Sequence, residues 1–298
     1  MTNYEKPKHV FLIDGSGFIF RAFHALPPMH RSDGTPVNAV FGFTKMIMKL
    51  VSETNADHIG VIFDQARKTF RNDIYPEYKS NRPPPPEELV PQFKLVKEAT
   101  LALSIPAISK DGFEADDLIA TYAHKSYQEK AEVTIVSSDK DLMQLINNQT
   151  RMYDAMKNRF IGIEQVKEKF GVGPEKVVEV QALAGDSSDN VPGVSGIGIK
   201  TAAQLINEFG DLNSLLMRAK EIKQPKRRES LIKEANLARI SLDLVTLRKD
   251  VPLDQPLTHL TKKSPDLNVL SSFPKNQGFN SLINSISSKF PNGKSHNA

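Results

Sequence analysis

HVFLIDG, residues 9–15, is the stretch from which the rest of this chain can be read. Four apolar residues run without a polar break and stop at Asp14 and Gly15. Two later stretches follow the same pattern: HIGVIFD ends at Asp64 and VTIVSSD ends at Asp139. Val- and Ile-rich runs without polar alternation are strands covered on both faces, as in a parallel sheet. Helical patterns lie between them. Residues 37–50 carry one apolar stripe, and Ala115, Leu118, Ile119, Tyr122 and Ala123 recur at the spacing of a helix face. Strand and helix in alternation predict an α/β domain over residues 1–170 with a mostly parallel sheet and flanking helices.

Downstream of Gly171 the pattern changes to short helices and glycine turns. In KTAAQLINEFG, residues Ala202, Leu205, Ile206 and Phe209 form one stripe, closed by Gly210 as a helix C-cap. Arg218, Lys220, Lys223, Lys226, Arg227, Arg228 and Lys233 make a basic run. These features predict a smaller helical domain over 171–270. Residues 271–298, ending NSISSKFPNGKSHNA, read as a polar, frayed tail.

Composition narrows the classes. The 298 residues include no cysteine and no tryptophan, which excludes disulfides and Cys-ligated zinc. No apolar run approaches the ~18 residues of a membrane span. The N-terminal run is too short for a secretory signal. The expectation is a soluble, cytoplasmic chain that meets no membrane. Net charge is +4, from 39 Lys and Arg against 35 Asp and Glu, and the pI is near 9.0. A basic balance points towards a polyanionic partner.

The acids are unevenly placed. In an open parallel sheet the strand C-termini converge on one edge, where ligands bind. Asp14, Asp64 and Asp139 stand at such ends, and Asp141 follows in SSDKD. GFEADD, residues 112–117, brings Glu114, Asp116 and Asp117 to a helix start. AGDSSDN adds Asp186 and Asp189 in a turn flanked by glycine. Nine carboxylates facing one cleft repel each other unless cations neutralise them. Oxygen donors without His or Cys select Mg²⁺ or Mn²⁺. Setting those nine aside leaves 39 basic residues against 26 acidic, a charge of +13 for the rest of the chain. Taken singly, a strand-end Asp is a turn or helix cap, and GFEADD alone is a generous N-cap; the joint order carries the reading.

GDSSDNVPGVSGIGIKTA contains a second motif. Gly193 and Gly198 have the spacing of a phosphate-cradling Walker loop, but Ile199 intrudes before Lys200 and Thr201. A helix–hairpin–helix fits better, with tight glycine turns offering backbone N–H groups to a nucleic-acid phosphate. Residues 67–82 interleave Arg67, Lys68, Arg71, Lys79 and Arg82 with Phe70, Tyr75 and Tyr78, a combination suited to single-stranded nucleic acid. PPPPEE then stiffens the way into a helical pattern from Glu87.

Six stretches in this order, FLIDGSGFIFRAFHA, VIFD, RNDIYPEYKSNRPPPP, GFEADDLIAT, VSSDKDLMQL and ALAGDSSDNVPGVSGIGIKTA, resemble the 5′-nuclease domain of bacterial DNA polymerase I, within the flap-endonuclease family. The resemblance covers about residues 9–265. It implies a PIN-like core with an arch near 67–90 and a helix-3-turn-helix domain for DNA. It implies hydrolysis of DNA 5′ ends and 5′ flaps, and of RNA in RNA–DNA hybrids, by two Mg²⁺ ions, with a role in primer removal and repair. Asp14, Asp64, Glu114, Asp116 and Asp117 then belong to one metal site, and Asp139, Asp141, Asp186 and Asp189 to the second. Tyr78, Lys79 and Arg82 take catalytic places at the scissile phosphate, with Arg21 and Arg71 on the 5′ strand. Gly193, Gly196, Gly198 and Lys200 resemble the duplex clamp, where backbone carbonyls hold a K⁺ ion. The implied partners are branched, 5′-flapped and nicked DNA and a DNA polymerase, bound by a monomer near the nucleoid. No polymerase or proofreading segment follows within these residues, so a stand-alone nuclease and a domain of a larger enzyme are both compatible. A PIN-type ribonuclease and a non-catalytic binder of branched DNA are the competing readings. The glycine turn opposes the first and the complete acid set the second.

Overall fold

The computed structural model describes residues 6–66 and 68–290. Arg67 and residues 291–298 of the expected tail lie outside the described residues. Strands β1 (His9–Asp14), β2 (His58–Ile62), β3 (Ala107–Ile108), β4 (Glu132–Val136), β5 (Thr150–Asp154) and β6 (Arg159–Ile161) form one sheet in the order β3-β2-β1-β4-β5-β6. Every pair is parallel except β5 with β6. The central strand β1 is buried along nearly its whole length, as its apolar run requires.

Alternation along β1 divides the core. Val10 and Leu12 face one layer, while Phe11 and Ile13 face the other. The second layer is formed by α1 (Gly15–Ala25), α2 (Asn38–Glu53) and α4 (Val90–Ala102), whose Phe18, Phe43, Ile47 and Val96 are buried there. The short α3 (Phe70–Ile74) follows β2 in the chain, in the predicted arch, and is not one of these second-layer helices. The first layer holds α5 (Ala115–Gln128), with Leu118, Ile119 and Tyr122 inward. It continues without a break into α6 (Ile163–Phe170), α7 (Val177–Ala184), α8 (Ile199–Phe209), α9 (Leu212–Met217), α10 (Pro225–Lys233) and α11 (Ala235–Val245). Glycine ends α8 as read, with Gly210 at φ 94°.

The frayed polar tail is corrected as far as residue 290. Two helices, α12 (Leu267–Gln277) and α13 (Asn280–Lys289), pack on α4 and α2 and bury Leu270, Phe273, Phe279, Leu282, Ile286 and Phe290 against the second layer. Asp266 caps α12, accepting from the Asn268 and Val269 amides, and Gly278 breaks the pair with φ 77°. The apolar residues were spaced among serines and asparagines, which lowered the average polarity signal without removing the helical stripe.

Candidate active site

The parallel sheet does what its order predicts: the ends of β1, β2 and β4 open on one edge, and the acids gather there. Asp14 closes β1 and caps α1, accepting from the Gly17 amide at 3.0 Å and from Ser137 Oγ at 2.9 Å. Asp64, two residues past β2, accepts from the Ala115 amide at 2.8 Å and so ties the strand end to the start of α5. Asp139 follows β4 and accepts from the Asp141 amide at 2.9 Å. Asp116 lies in the first turn of α5, where the helix dipole favours anions. Burial raises its pKa well above the ordinary carboxylate value, with further increments from Asp139, Asp14, Asp64 and Glu114. Burial likewise lifts Asp14 to about 6 against the hydrogen bonds from Gly17 and Ser137, with Asp64 and Asp139 adding to the rise. Asp116 is therefore the hub of a five-carboxylate group, with Asp14, Asp64, Asp139 and Glu114, drawn from the ends of β1, β2 and β4 and the start of α5.

A second group faces it across a narrow cleft lined by Tyr78, Glu114, Asp116, Asp141, Asp186 and Asp189. Asp141 accepts from Gln181 Nε2 at 2.5 Å, a contact from α7 of the helical part. Burial and then Asp139 push Asp141 up to about 7. Asp186 sits in the turn after α7, held by Ser188 and by Lys140 Nζ at 2.6 Å. These bonds hold it below the ordinary value despite its burial.

Side-chain cations share the neutralising role that the sequence assigned to metal ions alone. Lys79 Nζ lies 2.7 Å from Glu114 and 3.6 Å from Asp189, Arg82 pairs with Asp189, and Lys140 holds Asp186. Among the described residues no three of these carboxylates are drawn together closely enough to share an ion as they stand. The donor set nevertheless fits hard divalent cations: the groups are carboxylate oxygens, and their mutual repulsion is the electrostatic strain a bound dication relieves. Lys140 escaped the sequence reading, although its place between Asp139 and Asp141 was the available signal. Ser137, which links Asp14 to the Asp139 amide, gave none beyond its neighbours.

Three residues are placed differently from expectation. Asp117 is fully buried behind the cleft-lining Arg71, which grips it with two bonds of 2.7 and 2.8 Å, and the Arg248 and Glu114 amides occupy its remaining lone pairs. Its carboxylate is spent on structure. Arg71, expected on the 5′ strand, is 1% exposed and donates also to the Leu244 and Thr246 carbonyls at the end of α11. Gly193 is buried with its N–H on Ser241 Oγ, and a Cβ there would meet the Gly185 nitrogen at 2.5 Å. Its role is close backbone packing. Tyr78 stays at the cleft, but its ring is buried and its hydroxyl points to Glu114 at 3.2 Å and Asp189 at 3.4 Å, so it offers no open face for a base.

The remaining residues lie on open surface. Arg21 reaches Ser138 Oγ at 2.9 Å, beside Asp139. In the glycine turn Gly196, at φ 78°, and Gly198 have open space where a Cβ would be, and Lys200 is exposed in the first turn of α8. No side chain caps that helix, leaving its first amides available to an anion.

Two family profiles match the chain: the 5′-3′ exonuclease N-terminal resolvase-like domain over residues 9–171, and the 5′-3′ exonuclease C-terminal SAM fold over residues 172–268. A 5′-3′ exonuclease of Aquifex aeolicus is 36% identical across 95% of this chain and 96% of its own length. DNA polymerase I of Rhizobium leguminosarum is 54% identical across 95% of this chain but only 28% of that larger protein. The chain thus spans about a third or less of the polymerase relatives it matches. A solved structure of T5 5′-exonuclease with divalent metal ions (zinc) bound superposes with a TM-score of 0.68 at 21% identity, covering 95% of this chain and 98% of that one, which establishes a common fold.

Proposed function

This chain belongs to the 5′-3′ exonuclease family, and we propose that it is a metal-dependent, structure-specific 5′ nuclease that hydrolyses phosphodiesters at 5′ ends and 5′ flaps of DNA. The observation that carries this reading is the group of Asp14, Asp64, Asp116 and Asp139 at the edge of a basic protein, where burial and the neighbouring acids raise the pKa of Asp14 and Asp116. Asp14, Asp64, Glu114, Asp116 and Asp139 would hold one divalent ion, and Asp141, Asp186 and Asp189 the other, with Mg²⁺ or Mn²⁺ as the hard cations suited to oxygen donors. Bound ions of this kind generate a nucleophile from water near neutral pH and neutralise charge on the transferred phosphate.

The chain's own groups do the rest. Lys79 and Arg82 lie on the rim in contact with acids, so a substrate phosphate arriving there can take over cations already in position. Tyr78 keeps its hydroxyl on the acid pair Glu114 and Asp189 and holds that wall of the cleft. The turn at Gly196–Lys200, 11-residue α8 behind it, grips a duplex phosphate through backbone amides and Lys200, without reading bases. A K⁺ ion on the carbonyls of this turn belongs to the same reading. Branched, flapped and nicked DNA are the substrates, with RNA in hybrids as a second one. Primer removal and repair beside a DNA polymerase, by a monomer in the bacterial cytoplasm and nucleoid, is the corresponding setting. Among the described residues no helix is long and apolar enough to cross a membrane.

The test is cleavage of a labelled 5′-flap duplex with Mg²⁺, with EDTA, and with the Asp64→Ala and Asp116→Ala variants. Activity should vanish in EDTA and nearly vanish in both variants while flap binding persists. Wild-type rates in either variant, or cleavage in EDTA, would exclude the metal-dependent reading.

A further inference from the structure

The glycine turn assigned to a duplex phosphate already holds an anion of its own. The Ser195 amide donates to Glu234 Oε2 at 2.6 Å, a charge-assisted bond across 39 residues of sequence. Glu234 occupies the joint between α10 and α11, where the Ser230 carbonyl ends one helix and the Ala238 amide begins the next. Lys226, Arg227, Arg228 and Lys233 precede this joint, yet among the described residues none of them pairs with Glu234. Its carboxylate goes to the backbone of the turn instead. Beside that contact Gly196 and Gly198 are open, and α8 begins without a side-chain cap.

We propose that Glu234 is a built-in phosphate surrogate that weakens the duplex grip and speeds release of the cleaved duplex. The proposal rests on the reading of the turn as a phosphate clamp. In the free protein the carboxylate satisfies the Ser195 amide. A duplex phosphate approaching the turn must displace it, and during dissociation the same carboxylate returns to the amide and helps expel the phosphate. The proposal counts the Ser195 amide, next to Gly196, among the donors the phosphate takes, so that one donor is contested by two anions and part of the binding free energy is forfeited to keep exchange fast. Where product release limits turnover, faster dissociation of the duplex raises the overall rate.

The experiment measures binding and dissociation of a plain nicked duplex in EDTA, with single-turnover cleavage in Mg²⁺ measured separately. Its variants are Glu234→Gln, Glu234→Ala, Glu229→Gln and Lys200→Ala. Glu229 is an exposed acid of the same basic helix with no contact to the turn among the described residues, so it reports the bulk effect of removing one negative charge. Both Glu234 variants should bind duplex on the order of 10-fold more tightly, the value of one exposed hydrogen bond to a charged group. The gain should lie in slower dissociation, with the single-turnover rate unchanged. Glu229→Gln should gain much less. Weaker binding by Glu234→Ala with unchanged binding by Glu234→Gln would make Glu234 a brace and overturn the proposal. An equal gain in Glu229→Gln would reduce the effect to net charge and also overturn it. Lys200→Ala should weaken duplex binding. If it binds as the wild type does, the clamp itself is misplaced and the proposal falls with it, a failure distinct from a silent Glu234 beside a sensitive Lys200.

Discussion

Removing the carboxylate of Asp117 should cost folding stability and leave the metal chemistry to its neighbours. Asp117 is 0% exposed and holds the two Arg71 bonds of 2.7 and 2.8 Å together with the Arg248 amide at 3.0 Å. In Asp117→Asn the guanidinium of Arg71, itself 1% exposed, keeps its charge and loses its bidentate counter-ion, with only Glu114 left at 3.6 Å. Breaking one side of a buried pair costs about 3–5 kcal/mol. At about 2.1 cal/mol/K of unfolding entropy per residue, this chain of 298 residues loses about 1.6 °C per kcal/mol, so Tm should fall by about 5–8 °C. Arg71→Met should fall similarly. The double variant Arg71→Met with Asp117→Leu should recover much of the loss, because no charge is left stranded. The assay is thermal unfolding in EDTA followed by circular dichroism, so that bound ions contribute nothing. A ligand-type role for Asp117 makes the opposite forecast: relief of repulsion, and an equal or higher Tm in Asp117→Asn without metal. That result would refute the assignment of Asp117 to structure.

Other outcomes follow from the same geometry. Asp14, Asp116 and Asp141 have folded-state pKa values raised above their unfolded ones, so the stability tied to their protonated forms is complete below about pH 4 and is lost as pH rises towards 7. Thermal scans in EDTA should show this decline, flattened in Asp116→Asn, and Mg²⁺ should raise Tm more at pH 8 than at pH 6; a pH-independent Mg²⁺ increment would contradict it. Lys79→Ala should lower the single-turnover rate on the order of 10²-fold with binding nearly intact, whereas Lys200→Ala should raise Kd and reduce the salt slope by about 1 with the rate preserved. Equal loss in the same step for both would dissolve the distinction between chemistry and grip. Asp186→Asn should shift the Mg²⁺ titration of cleavage to higher concentration, and an unchanged midpoint would remove Asp186 from the ion-binding set.

The strands and the acid edge were legible because both arise from local rules. An apolar run ending in Asp is visible residue by residue, and a parallel sheet then fixes which ends meet. Which way each acid turns was not local. Glu114, Asp116 and Asp117 are neighbours in sequence, but a helix sends Asp117 to a different azimuth from Asp116, and only the packing of α3 and α11 supplies the arginine that receives it. Arg71 read as a nucleic-acid contact for the same reason: the partner that buries it is 46 residues away, and the carbonyl that fixes it is 173 away. The glycines divided likewise. Gly196 and Gly198 face open space, while Gly193 backs onto Gly185, a close approach that sequence can permit but not reveal.

The lysine and arginine contacts within the acid cleft have a consequence for how such a protein is handled by a cell. Lys79, Arg82 and Lys140 already offset the charge of Glu114, Asp189 and Asp186, so that part of the acid edge does not wait on an ion as the ligands of a zinc finger do. The metal then enters as a reactant: scarcity of Mg²⁺ idles the cleft without dissolving it, and chelation is reversible. A newly made chain can reach its final shape able to bind DNA but unable to cleave it, and become competent only when ions and a phosphate together draw the three cations off their acids.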